Sequence, residues 1–253
     1  MRSSNPALSD SVFHNFETYG DSTVMTVGGT AFKTMIAVLL AFLTAGYTWI
    51  QFQQGNPIQG YMIGGLIVGL VTSLATMFKP TWAPVTTPVY ALAEGCFLGG
   101  ISAVIQASLV ARGAIQPGQN IAFQACGLTF GVLTVMMFVY QSGLIRVTDK
   151  LRMGIVAATG AIALLYVVSM VASLLGYPIG FIHSAGPMGI AFSVFVVGLA
   201  AFNLLLDFDL IDRLAASRAP KHMEWYGAFA LMVTLVWLYI EILRLLSKLN
   251  RRD

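Results

Sequence analysis

Seven stretches of the chain are almost unbroken runs of apolar side chains, at about residues 31–52, 58–78, 84–107, 121–141, 153–175, 187–211 and 225–246. Each is close to the roughly 20 residues an α-helix needs to cross the hydrocarbon of a bilayer. The runs are continuous rather than alternating, so they read as helices and not as barrel strands of about ten residues. Helices also keep every backbone polar group satisfied where water is absent. Turn-forming residues separate the runs: Gln54-Gly-Asn-Pro57, Lys79-Pro-Thr-Trp82, Gln116-Pro-Gly-Gln-Asn120, Gly176-Tyr-Pro178 and Gly186-Pro187. The pattern predicts an all-α membrane protein with seven transmembrane helices. A polar N-terminal arm (1–30) precedes the membrane domain (31–247), and a short basic tail (248–253) follows it.

Composition removes the soluble alternative. Of the 253 residues, 57% are hydrophobic and only 10% charged, and the mean hydropathy is +0.77. Soluble domains carry about 25% charged residues, so the lipid bilayer must be the main partner of this surface. The net charge of +3 is spread between the runs, so it sets topology and is not a nucleic-acid patch. With the N-terminus in the cytoplasm, the inside segments hold Arg2, Lys33, Lys79, Arg146, Lys150, Arg152, Arg213, Arg218 and Lys221. The outside segments 53–57 and 176–186 hold none, and the third holds only Arg112. The tail (Lys248, Arg251, Arg252) opposes this bias, and we expect the last helix to cross fully all the same. Residues 1–30 contain no apolar core of a signal peptide.

Candidate chemistry is sparse. His14, His183 and His222 lack metal-ligand spacing, and Cys96 and Cys126 lie inside apolar runs as free thiols. No nucleophile elbow, phosphate loop or zinc helix appears, which counts against an enzyme and against a resident cofactor. What remains is a set of charges inside apolar runs, where an ionisable group costs about 2.5–3.5 kcal/mol on insertion scales. Glu94, ten residues into the third run, sits about 15 Å deep at 1.5 Å per residue. Asp207 sits about one turn inside the end of the sixth run. Asp209 and Asp212 read as solvated charges at that end, where the helix dipole disfavours acids. Crowding three acids there has one rationale in proton sensing. Glu241 and Arg244, three apart in the seventh run, share a face and pair, as a local salt bridge or as a polar element of a gate. The pairs Gly65/Gly69, Gly95/Gly99 and Gly127/Gly131 read as seams of close helix packing.

At these residues the chain resembles the Bax inhibitor family of membrane proteins, in its bacterial YccA-like branch. The resemblance rests on Leu206-Asp-Phe-Asp-Leu-Ile211 at the end of the sixth helix and Leu238-Tyr-Ile-Glu-Ile-Leu-Arg-Leu-Leu246 in the last. Pro88-Val-Tyr-Ala-Leu-Ala-Glu-Gly95, leading into the third helix, fits too. Tyr140-Gln-Ser-Gly-Leu-Ile-Arg-Val-Thr148 and Met223-Glu-Trp-Tyr-Gly-Ala-Phe229 mark a divergent bacterial subgroup. The likeness covers about residues 25–250. It implies six helices wrapped around a central C-terminal helix, in a bacterial inner membrane. It also implies a pH-sensitive calcium leak, in which two acids on helices six and seven share a proton and latch the pore closed. The helix-six acid carries over onto Asp207. The helix-seven acid falls at Thr234, which cannot ionise, so a second carboxylate must come from Glu241, two turns further along, or from Glu94 on another helix. We expect Glu94 to face Thr234, because both lie about ten residues from the same membrane face.

The expected function is therefore a cation leak with calcium as the permeating ion. Carboxylates would act with Thr234, Asn203 and Thr129 as neutral oxygens, because hard cations take oxygen ligands. The competing expectation is a non-transporting regulator that binds another membrane protein, such as a membrane protease or translocation component. A shared polar site for Glu94, Asp207 and helix seven separates the two.

Overall fold

The computed structural model describes residues 24–116, 118–177 and 180–251, apart from the side chains of 181 and 183. The polar arm up to residue 23, with Arg2 and His14, lies outside the described residues, as does Arg252. Seven helices are long and apolar enough to cross a membrane. They are α1 (Val27–Gln53), α2 (Gln59–Phe78), α3 (Ala83–Ala111), α4 (Ile121–Gln141), α5 (Asp149–Leu174), α6 (Pro187–Ala216) and α7 (Met223–Asn250). A 3₁₀ turn, Pro80–Trp82, joins α2 to α3, and a one-turn helix, Gly180–His183, precedes α6.

Five helices outrun their apolar stretches, and at the starts of α1 and α5, as at that of α4, a polar residue caps the helix. Thr26, Asn120 and Thr148 accept hydrogen bonds from the backbone N–H groups of Gly29, Phe123 and Leu151, satisfying donors that a helix start leaves free. Thus α1 begins inside the expected arm, at Val27, and α5 begins at Asp149. At the other end, α7 runs to Asn250, so Lys248 is a buried helical residue and not part of a solvated tail. Glycines in the left-handed region close α1, α3, α4 and α5, while Arg218 (φ 55°) takes that role after α6.

The face on which α1 begins is called the near face, and its opposite the far face. The near face gathers the starts of α1, α3 and α7 with the end of α6. There Glu224, at the first turn of α7, accepts from the backbone and hydroxyl of Thr26 at 2.9 Å each. It also pairs with Lys33 and Lys221. Gly29 leaves the room for this carboxylate: a Cβ there would sit 2.2 Å from its oxygen. At the far face, the Lys248 ammonium donates to the carbonyls of Ile182 and Gly189 and to the Ser193 hydroxyl, at 2.6–2.9 Å. Helix α7 therefore crosses completely, and its two ends are pinned on opposite faces.

Helix α7 is central: it packs against α1, α3, α4 and α6, whereas α2 packs chiefly on α3 and α5 on α6. It shares the interior with α3. Half of the apolar window of each is buried, against 17% for α1, α2, α4 and α5. Two of the three glycine pairs form seams. A Cβ on Gly65 would meet the Ala93 carbonyl at 2.4 Å, and one on Gly95 or Gly99 would meet the Ala41 or Ala45 carbonyl at 2.3 Å. Backbones can approach this closely only where side chains are missing. Gly127 and Gly131 differ from the expectation, because nothing lies within 4 Å of a Cβ at either position. Helix α4 makes no glycine seam.

Candidate ion-path site

Three residues from three helices line one cavity of about 400 Å³: Glu94 of α3, Asp207 of α6 and Thr234 of α7. Helix geometry explains the common level. Glu94 lies eleven residues after Ala83 and Thr234 eleven after Met223, each about 17 Å from the near face. Asp207 lies nine residues before Ala216, about 14 Å in. It is deeper than the single turn expected, because α6 continues past the apolar run.

The Asp207 carboxyl lies beside the Thr234 side chain. Its Oδ2 is buried without a hydrogen-bond partner among the described residues. Glu94 bends toward α2, where Gly69 makes room: a Cβ there would lie 2.7 Å from Glu94 Oε1. Aromatic rings close part of the wall, with Tyr90 set edge-on to Phe229 at 5.2 Å between centroids. Among the described residues, no Lys or Arg pairs with Glu94 or Asp207. A carboxyl shut in apolar surroundings either holds a proton or recruits a cation, and two such groups on one cavity can do both.

The other acids have different company. Asp209 is not a solvated end charge. Arg152 of α5 pairs with it, and so does Arg213 at 2.9 Å. Asp212 accepts from the Tyr140 hydroxyl at 2.7 Å. Both are tied to the near face and neither lines the cavity. Glu241 lies seven residues beyond Thr234, about 10 Å along α7. It accepts from the Tyr166 hydroxyl at 2.9 Å and from Arg244 at 3.0 Å, and the Arg244 guanidinium stacks over the Tyr166 ring. Its second oxygen is buried and unpartnered. Trp237, Leu238, Leu199 and Leu204 pack into apolar clusters between the two levels. Glu241 and Arg244 thus form a separate far-side group.

Of the neutral oxygens, Asn203 donates to the Thr159 hydroxyl at 2.9 Å, one turn from Asp207, and Thr129 is bonded to the Ala125 carbonyl. Among the described residues, no three His, Cys, Asp or Glu side chains come together as a metal cluster. Sequence reasoning read Gly69 as part of a packing seam and missed that it makes room for Glu94, and it overlooked Glu224 and the buried role of Lys248. Gly69 could have been found only from its partner Glu94 on the next helix. Glu224 was hidden at the edge of an apolar run, where a charge looks ordinary.

Comparison with known proteins is one-sided. Neither the curated proteins nor the solved structures provide a match, whereas the family described as Bax inhibitor 1 like matches residues 5–251, nearly the whole chain. A seven-helix membrane bundle matched over this length belongs to the Bax inhibitor 1 like family.

Proposed function

We propose that the protein is a pH-responsive cation leak, with calcium as the permeating ion, and that Glu94 and Asp207 form its proton- and cation-binding pair. The observation that carries this reading is the cavity shared by two carboxyls that, among the described residues, pair with no Lys or Arg, beside the Thr234 hydroxyl. A divalent cation favours an oxygen-lined site with carboxylate charge, and only ionised carboxylates bind it. Occupancy by metal and by protons are therefore opposed. Glu94 takes the part that an acid at position 234 would play in the family pattern.

The apolar residues between this cavity and Glu241 act as the closed barrier, so conduction requires α6 and α7 to separate there. The near face is assigned to the cytoplasm of a bacterium and the membrane to its inner membrane, in line with the Lys and Arg placement. Nothing in this scheme calls for catalysis or a bound cofactor.

Calcium flux into liposomes holding the purified protein, measured from pH 5 to 8 beside Asp207→Asn and Glu94→Gln, tests the proposal. The expected result is a pH-dependent flux whose dependence is lost in both variants. Absence of flux at every pH from folded protein would overturn it and favour a regulator that binds another membrane protein.

A further inference from the structure

On the side of α7 away from the acids lies a second cavity, of about 610 Å³, between α1, α3, α4 and α7. At 100° per residue, its α7 lining (Met232, Leu235, Val236, Tyr239) lies nearly opposite the acid-facing residues Ala230, Val233 and Thr234. Helices α1 and α4 flank this groove with little packing along one another: Phe42 and Phe130 stack across it at 5.9 Å between centroids, and toward the far face the exposed Gly46, Phe123 and Gly127 leave it open to the side, within the membrane. Exposed Phe42 and Phe123 stand on the two rims, so the groove continues the lipid-facing surface inward to the central helix.

Three features define what fits. First, the hydroxyls in the groove are already satisfied, since Ser102 and Tyr239 bond each other at 2.7 Å and Thr129 bonds the Ala125 carbonyl, while the other polar groups, those of Trp49 and Asn120, stand at its far-face end. A hydrogen-bonding ligand would find little to bond, and so would water. Second, the groove runs along α1 from Val38 to Trp49, eleven residues or about 17 Å, close to the hydrocarbon depth of one leaflet, about 15 Å. Third, its lining stops at mid-membrane, at Val38 of α1, Phe130 of α4 and Met232 of α7, beyond which Val132, Leu133 and Met136 of α4 pack against the apolar cluster of α6 and α7. A transmembrane helix from a partner would need a groove running the whole bilayer. Trp49 and Asn120 mark the far-face end, the level of lipid headgroups.

We infer that this groove holds one acyl chain of a glycerophospholipid from the far-face leaflet, inserted sideways between α1 and α4 until it touches α7. The chain takes the place of the packing that α4 lacks, which accounts for the open space at Gly127, and it supports α7 directly behind the acid site. This reading does not depend on the protein conducting ions.

The test is photo-crosslinking of the full-length protein in liposomes of phosphatidylcholine that carries a diazirine midway along one acyl chain, with adducts mapped by mass spectrometry. Met232, Leu235 and Val236 are each no more than 8% exposed, so ordinary surrounding lipid cannot reach them. The expected result is adducts on residues 232–239, next to the general labelling of the exposed face of α5. Gly127→Phe and Gly46→Leu fill the groove from opposite walls, and neither position has an atom within 4 Å of a new Cβ. Each should cut the α7 adducts by about tenfold, which corresponds to about 1.4 kcal/mol of lost chain binding, and leave those on α5 unchanged. Gly160→Leu on α5, also in open space, should change neither. Wild-type protein labelled on α5 but not on α7 would overturn the inference, as would α7 adducts that both filling variants leave intact. Crosslinks from the groove to a second protein copy would overturn it too.

Discussion

Two acid sites inside the apolar helices lie at matching depths on opposite halves of this bundle, and they are built on opposite principles. On the far half, Glu241 is held by Tyr166 and Arg244, with Lys248 fixed nearby to the start of α6. On the near half, Glu94 and Asp207 share a cavity with Thr234 and, among the described residues, pair with no Lys or Arg. A paired buried charge is costly to disturb and is poorly placed to exchange its partner. An unpaired one must take a proton or an ion from outside. The contrast supports the proposed exchange at the near site and a structural role for the far one, although both read alike as charges in apolar helices.

The largest expected effect falls on Asp207. In Asp207→Asn, calcium flux should lose its response to pH between 5 and 8 and fall by at least about tenfold, equivalent to about 1.4 kcal/mol of lost cation binding. Because acid protonates both carboxyls and only ionised ones hold calcium, calcium bound to wild-type protein should decrease as pH falls, as read by calcium-45 retention. Glu94→Gln should resemble Asp207→Asn, and adding Thr234→Asp to it should restore a pH response, because the new acid lies against Asp207 in the same cavity. Recovery in this double variant would sharpen the comparison; a pH response that survives in Glu94→Gln alone would break it. A smaller change is expected in Gly69→Ala, whose methyl displaces the Glu94 carboxyl. Flux should drop a few-fold, with stability lowered by about 1 kcal/mol for the overpacking. The smallest effect on flux belongs to Glu241→Gln. Its pH response should match wild type, while thermal unfolding in detergent reports a loss of about 2 kcal/mol for weakened bonds to Arg244 and Tyr166. A shifted pH response in Glu241→Gln would mean that both sites exchange protons.

Much of this architecture was legible from the chain. The seven runs match the bilayer, and the acids inside them stood out because hydrocarbon makes each one expensive. The shared depth of Glu94 and Thr234 followed from counting residues along two helices. What counting could not supply was the azimuth. Gly127 and Gly131 carry the same spacing as Gly65 and Gly69, yet one pair faces open space, while Gly65 faces the Ala93 backbone and Gly69 the Glu94 carboxyl. Spacing defines a stripe on a helix but not what the stripe meets. Asp209 was misjudged for the same reason: its partner Arg152 comes from a helix more than fifty residues earlier. Caps account for the shifted helix ends, since Thr26, Thr148 and the residues after Ile211 are too polar to register in an apolar run.

Lys248 bears on how the chain is made. If the near face is the cytoplasm, this ammonium has to be carried across the membrane during biosynthesis, against the usual retention of positive charge. Its three acceptors belong to Ile182, Gly189 and Ser193, all synthesised before α7 leaves the ribosome. The receiving surface for the last helix is thus already on the far side when its charge arrives, and the order of synthesis becomes part of how the final crossing is secured.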